Sequence, residues 1–166
     1  MSNLKQAIKV NYLKCVQDPS YFINQYCTIQ HPQRGKIKFK LYDFQYDVLK
    51  EYQENDYNVI LKSRQLGIST LSAAYALWMM LFHNDKNVLC IATTKDTAKN
   101  IVTKVRIMYD GLPVWLKTQI VENNKLSLVF KNGSQIKALA STESAGRSEA
   151  LSLLILDEAA FIDKID

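Results

Sequence analysis

The chain has 166 residues, is 48% hydrophobic and 22% charged, and so has the size and composition of one folded domain rather than a disordered tail. Its formal charge of +5 is compatible with a polyanionic partner, but many soluble proteins carry as much. Cys15, Cys27 and Cys90 are too few and too irregularly spaced for a disulfide framework, which fits a reducing cytoplasm.

The first residues, Met1 to Val10, lack the apolar core of a signal peptide. The longest apolar stretch, Leu71–Phe82, falls well short of the roughly 20 residues that span a bilayer, so no membrane role is expected. Residues 1–30 carry helix-like patches. Leu4, Ile8 and Leu13 form one, and Tyr21, Phe22 and Tyr26 suggest a packed aromatic face. Pro19, with Asp18 and Ser20, marks a break or a helix start. A turn is expected at His31–Gly35. Ile37, Phe39 and Leu41 then alternate with lysines, as in a short strand or extended arm. The run Lys36, Lys38, Lys40 reads as a solvated strand edge or as a phosphate-contacting patch.

Phe44, Val48, Leu49 and Tyr52 recur at helical spacing behind Asp43, a candidate N-cap. Tyr57–Lys62 is short, apolar and β-branched, which predicts a strand. A glycine loop follows at Ser63–Ile68, and Ser69–Phe82 predicts a strongly apolar helix. The alternation repeats: strand at Asn87–Ala92, helix to about Tyr109, break at Gly111-Leu112-Pro113. Lys125–Phe130 and Gln135–Ala140 flank Asn132-Gly133, a strong hairpin signal. After a polar loop at Thr142–Ser148, the apolar run Leu151–Leu156 ends in Asp157-Glu158. Apolar strands alternating with helices predict an α/β fold with a mostly parallel sheet covered on both faces. In an α/β ATPase more strands should follow such an acidic pair, so a fragment is expected.

The loop carries the first chemical signal. The usual phosphate-binding pattern is G-x-x-x-x-G-K-[ST]; its amides wrap phosphates, its lysine neutralises them and its hydroxyl binds magnesium. Here the stretch reads Lys62-Ser63-Arg64-Gln65-Leu66-Gly67-Ile68-Ser69-Thr70. Gly67 and Ser69 are in register, and Thr70 adds a second hydroxyl. Ile68 occupies the lysine position and cannot neutralise anything. Lys62, at the mouth of the loop, is the better replacement, whereas Arg64 reaches the γ-phosphate or a neighbouring carboxylate. The plain alternative is a strand–helix unit with a chance glycine turn.

Asp157-Glu158 supplies the second signal. An apolar strand ending in aspartate is a Walker B pattern, in which Asp157 holds magnesium through water and Glu158 polarises the attacking water. The alternative is an ordinary acidic cap at a strand end. Arg147, in the loop before that strand, is a candidate arginine finger or a plain surface arginine. Gln45 has an amide that can pair with an adenine edge, with Tyr42 or Phe44 stacking nearby; otherwise it is an exposed helix residue. Cys27 with His31 makes too small a set for a metal site. Trp78 and Trp115 read as core or interface.

Taken together, these residues resemble the ATPase domain of the large terminase subunit of tailed bacteriophages, in its T-even-like branch. Asp43-Phe44-Gln45 is similar to that family's adenine-side motif, and Ser63-Arg64-Gln65-Leu66-Gly67 to its serine-arginine-glutamine loop. Gly146-Arg147 is similar to its arginine motif, and Leu156-Asp157-Glu158-Ala159 to its Walker B segment; His31-Pro32-Gln33-Arg34-Gly35 also resembles the branch. Lys62 with Ile68 looks like the deviant loop in which lysine stands at the head. The resemblance covers roughly residues 20–163.

It implies a RecA/ASCE-like P-loop NTPase fold, a three-layer sandwich incomplete at its C-terminal end. Residues 1–40 would be a lead-in and arm, and 41–166 the front of the ATPase domain. The implied activity is ATP hydrolysis driving double-stranded DNA into a procapsid. ATP would sit on Gln45 and Lys62 to Thr70 (Lys62, Ser63, Arg64, Gln65, Leu66, Gly67, Ile68, Ser69, Thr70), and Mg2+ on Ser69 and Asp157. Glu158, Arg147, Lys62 and Arg64 would serve catalysis. By resemblance the partners are DNA, the capsid portal protein, a small terminase subunit and sister copies in a ring of five. The setting is the cytoplasm of an infected bacterium and, transiently, the procapsid portal. The family's nuclease domain is not among these residues. The competing readings are a helicase-like nucleic-acid-dependent ATPase, and a degenerate nucleotide-binding interaction domain without turnover.

Overall fold

In the computed structural model, residues 2–141 and 150–162 are described. Two helices open the chain, α1 (Ser2–Gln17) and α2 (Pro19–Tyr26). Pro19 occupies the first turn of α2, where its missing N–H costs nothing, and the Asp18 carboxylate caps the helix by accepting from Ser20 N at 2.7 Å. Strands β1 (Thr28–His31) and β2 (Gly35–Lys38) form a small antiparallel hairpin. Then follow α3 (Asp43–Glu54), α4 (Ile68–Phe82), β3 (Asn87–Ala92) and α5 (Lys95–Asp110). Four further strands complete the described chain: β4 (Ile120–Asn123), β5 (Ser127–Phe130), β6 (Gln135–Ala140) and β7 (Leu153–Leu156).

The main sheet has the order β4-β5-β6-β3-β7. β3 runs parallel to both β6 and β7, while β5 is antiparallel to β4 and to β6. The sheet is therefore mixed rather than mostly parallel. The difference comes from the Asn132-Gly133 hairpin, which was expected, and from β4, which was not.

The alternation of β3 assigns its two faces. Val88, Cys90 and Ala92 join one apolar core with α4 and α5. Leu89 and Ile91 point the other way, where Ile91 lies beside Leu139 and Leu156. Leu139, Leu154 and Leu156 remain partly exposed. Among the described residues the fold is an α/β sandwich with a mixed sheet, and Leu89 and Ile91 on the second face are themselves buried.

Helix α4 organises the core. It has no charged residue, and Leu71 to Leu77 is buried throughout, as befits a helix apolar on all sides. Each fully buried leucine contributes about 1.5–3 kcal/mol. Its last carbonyls are satisfied by the β5–β6 turn: Asn132 Nδ2 donates to Met80 O at 2.9 Å and Ser134 Oγ to His83 O at 2.8 Å. The expected lead-in packs into the same core through Cys15, Phe22, Ile23, Cys27 and Phe39. Trp78 Nε1 donates to Cys15 O at 2.7 Å, which places Trp78 in the core. Trp115 packs against that core, edge-on to Tyr26.

One predicted element does not form. Tyr57–Lys62 has no regular structure and pairs with no strand among the described residues, and Tyr57, Val59 and Leu61 are 94%, 100% and 102% exposed. Among the described residues the outer side of the edge strand β7 is left unpaired. Local β propensity needs a partner ladder to become a strand, and this segment has none. A groove of about 510 Å³ separates it from α3, lined by Val48, Tyr52, Val59 and Leu61 among others.

Candidate phosphate and metal site

The site is built where the loop enters α4 and where β7 ends. The loop turns at Arg64-Gln65, with Gln65 at φ +65° and Gly67 at φ +72°. Gly67 is the N-cap of α4, and its left-handed backbone is the conformation glycine adopts without a steric cost. The helix begins at Ile68. Leu71 N bonds to Gly67 O at 2.9 Å, leaving the N–H groups of the first turn facing outward from the helix end. Ile68 itself is buried in the core, which is a structural reason for an apolar residue there.

On the other side, β7 continues its pairing one residue beyond the strand, with Asp157 N donating to Ile91 O at 3.0 Å. This carries the Asp157 side chain to the start of α4. Ser69 Oγ donates to Asp157 Oδ1 at 2.9 Å, across 88 residues of sequence. Both side chains are half-buried. Glu158 follows with φ +55°, an uncommon backbone for a side-chain-bearing residue, and it is exposed.

Other groups surround Asp157. The Lys104 ammonium, half-buried on α5, is held below its ordinary pKa by burial, opposed by Asp157 and reinforced by Lys62. Lys104 was not singled out from sequence. Its signal was a lysine three residues from Ile101 and four from Met108, on the apolar face of a helix. Burial, with Asp157 adding, pushes the Cys90 thiol up to about 12, so it stays neutral beside the carboxylate. Behind the first turn of α4, Tyr52 Oη and Ser72 Oγ share a hydrogen bond of 2.9 Å. Burial is the main cause of the raised Tyr52 pKa, with Asp157 contributing.

The remaining predicted residues fall as follows. Lys62, Ser63, Arg64, Gln65 and Leu66 form the exposed part of the loop, and neither Lys62 nor Arg64 is paired with a carboxylate among the described residues. Thr70 lies on the first turn of α4. Gln45 is 1% exposed, not an open surface residue. Its helix starts one residue earlier than expected, with Tyr42 as the N-cap and Asp43 inside the first turn. Tyr42 and Phe44 stack in parallel, with ring centroids 5.8 Å apart, and both are exposed. Arg147 lies outside the described residues. Cys27 is fully buried, and His31 Nδ1 accepts from Gln33 N and Arg34 N within the hairpin turn. In the basic run, Lys38 Nζ donates to Gln25 O at 2.8 Å, which ties it to α2.

The donor set fits a hard cation. Magnesium takes oxygen ligands at about 2.0–2.1 Å in an octahedron, so adjacent ligand oxygens lie about 2.9 Å apart. Ser69 Oγ and Asp157 Oδ1, held 2.9 Å apart by their hydrogen bond, are two such oxygens already side by side. The outward N–H groups at the start of α4, with Lys62 and Arg64 on the loop paired with no carboxylate among the described residues, suit an anion beside that pair.

An α/β domain with a helix N-terminus facing a strand-end carboxylate is the class that these features define. The chain belongs to the terminase large subunit family: residues 59–165, more than half of its length, match the model described as "Terminase large subunit, T4likevirus-type, N-terminal". Among solved structures it is similar to the large terminase of bacteriophage HK97, with a TM-score of 0.67 and 19% sequence identity. That match covers 85% of this chain and 30% of the HK97 chain, so the present residues span under a third of that protein.

Proposed function

We propose that the chain is the nucleotide-binding front of a DNA-packaging ATPase, of RecA/ASCE-like P-loop architecture. The observation that carries this reading is the Ser69–Asp157 contact, which joins the glycine loop to the strand-end acid as a magnesium-ATP site requires. Family membership supports it independently.

In this reading Ser69 and Asp157 hold Mg2+, Asp157 directly or through a water. The metal, when bound, neutralises charge on the phosphates. The backbone N–H groups from Gly67 to Thr70 receive the phosphate oxygens. Lys62 supplies the positive charge that Ile68 cannot. Arg64, next to it on the exposed loop, holds the γ-phosphate. Glu158 orients and deprotonates the attacking water, and its position directly after Asp157 keeps it within one residue of the metal. Arg147 completes the set as an arginine finger, from its own site or a neighbour's. The exposed Tyr42–Phe44 stack stands on the adenine side, with Gln45 buried behind it. The hydrolysis cycle would drive double-stranded DNA into a procapsid, with portal protein, small terminase subunit and sister copies as partners.

Lys62→Ala is expected to lower ATP turnover by roughly 10²-fold or more, the usual effect of removing one charge-stabilising group from such a site. A steady-state phosphate-release assay beside Arg64→Ala decides which cation replaces the missing lysine. Near-full activity of Lys62→Ala would rule out the assignment of Lys62.

A further inference from the structure

The Gln45 amide is one of the few polar groups sealed into the core, and its partners lie on two separate elements. Oε1 accepts from Tyr42 N at 3.1 Å, and Nε2 donates to Leu66 O at 3.1 Å. Only one orientation of the amide satisfies both partners, because Tyr42 N is a donor and Leu66 O an acceptor. The first bond is half of a capping box, in which a side chain at the third helical position returns to the N-cap N–H. The second reaches 21 residues along the chain to the peptide that precedes Gly67.

We infer that Gln45 is a positioning residue that latches the glycine loop to the start of α3. The peptide between Leu66 and Gly67 is planar and trans, so its C=O and N–H point in opposite directions. Holding Leu66 O against Gln45 therefore aims Gly67 N–H away from α3. The loop backbone also packs directly on the amide: a Cβ at Gly67 would stand 3.1 Å from Gln45 Nε2. Gly67 in turn sets the first turn of α4, including Ser69. One buried amide thus fixes the orientation of the donors at the helix entrance. With Gln45 1% exposed and both ends of its amide engaged, its edge is not presented to a base in this conformation. The latch stands without any ligand. Its consequence for ATP rests on the function proposed above.

Hydrogen exchange on the 166-residue protein, read at Leu71, whose N–H bonds to Gly67 O, and at Leu89 and Cys90 of β3, tests it with two variants. Gln45→Ala removes both bonds. Gln45→Glu, read at a pH where its carboxyl is ionised, keeps the acceptor for Tyr42 N but cannot donate to Leu66 O. In both variants exchange at Leu71 is expected to rise about tenfold, the worth of one partly buried hydrogen bond, while β3 keeps its protection. ATP and GTP affinities fall by the same factor, because a latch does not discriminate bases. Unchanged Leu71 exchange in Gln45→Glu overturns the latch, as does an equal rise in β3. Loss of ATP affinity with GTP untouched also overturns it, in favour of base reading. If neither nucleotide binds the parent protein, the proposed function fails, and the exchange data still decide the latch.

Discussion

Replacing Glu158 by alanine is expected to reduce ATP turnover by about 10²–10⁴-fold while leaving magnesium-dependent ATP binding within about threefold of the parent protein. The separation follows from position. Asp157 faces Ser69 at 2.9 Å and belongs to the proposed cation pair, whereas Glu158 is exposed, turned by its positive φ, and bonded to neither. A general base contributes to the transition state and little to ground-state binding, so kcat falls and KM barely moves. Single-turnover hydrolysis with equilibrium binding on the same variant checks both halves. A parallel loss of binding would place Glu158 among the metal or phosphate ligands instead.

The second large effect is on stability. Phe22 is fully buried on α2 and meets Phe82, at the end of α4, edge to face with centroids 5.3 Å apart. Truncation to alanine removes the ring and leaves a cavity between the lead-in helices and the central helix. A loss of about 3–5 kcal/mol is expected. For a chain of this size that lowers Tm on the order of 10 °C, measurable by thermal unfolding. A shift below about 2 °C would mean that the first 40 residues are an appendage and not part of the core.

The site was legible because its two halves are local signals. A glycine before a hydroxyl-bearing helix start, and an apolar run ending in Asp157, each need only a few neighbouring residues to be recognised. Their meeting then follows from the parallel pairing of β3 with β7. The Asn132-Gly133 hairpin was legible for the same reason. Tyr57–Lys62 was not, because a strand is defined by its partners, and no periodicity reveals whether a neighbouring strand pairs with it. Strand β1 carries one apolar residue and β4 two adjacent ones, so neither offers an apolar alternation to read. The type of Gln45 hinted at chemistry, but its burial depends on Leu66, 21 residues away. Lys104 was missed because one lysine on an apolar helical face reads as an exposed stem until the neighbouring carboxylate is placed.

The Ser69–Asp157 pair remains the centre of the functional reading, and magnesium dependence tests it most directly. Calorimetric titration of ATP into the protein, with magnesium and with chelator, is to be run beside Asp157→Ala. Magnesium should tighten ATP binding by about tenfold or more in the parent protein and by less than about twofold in the variant. An equal magnesium effect in both proteins, or no ATP binding by the parent protein under either condition, would contradict the assignment of a magnesium-ATP site to this pair.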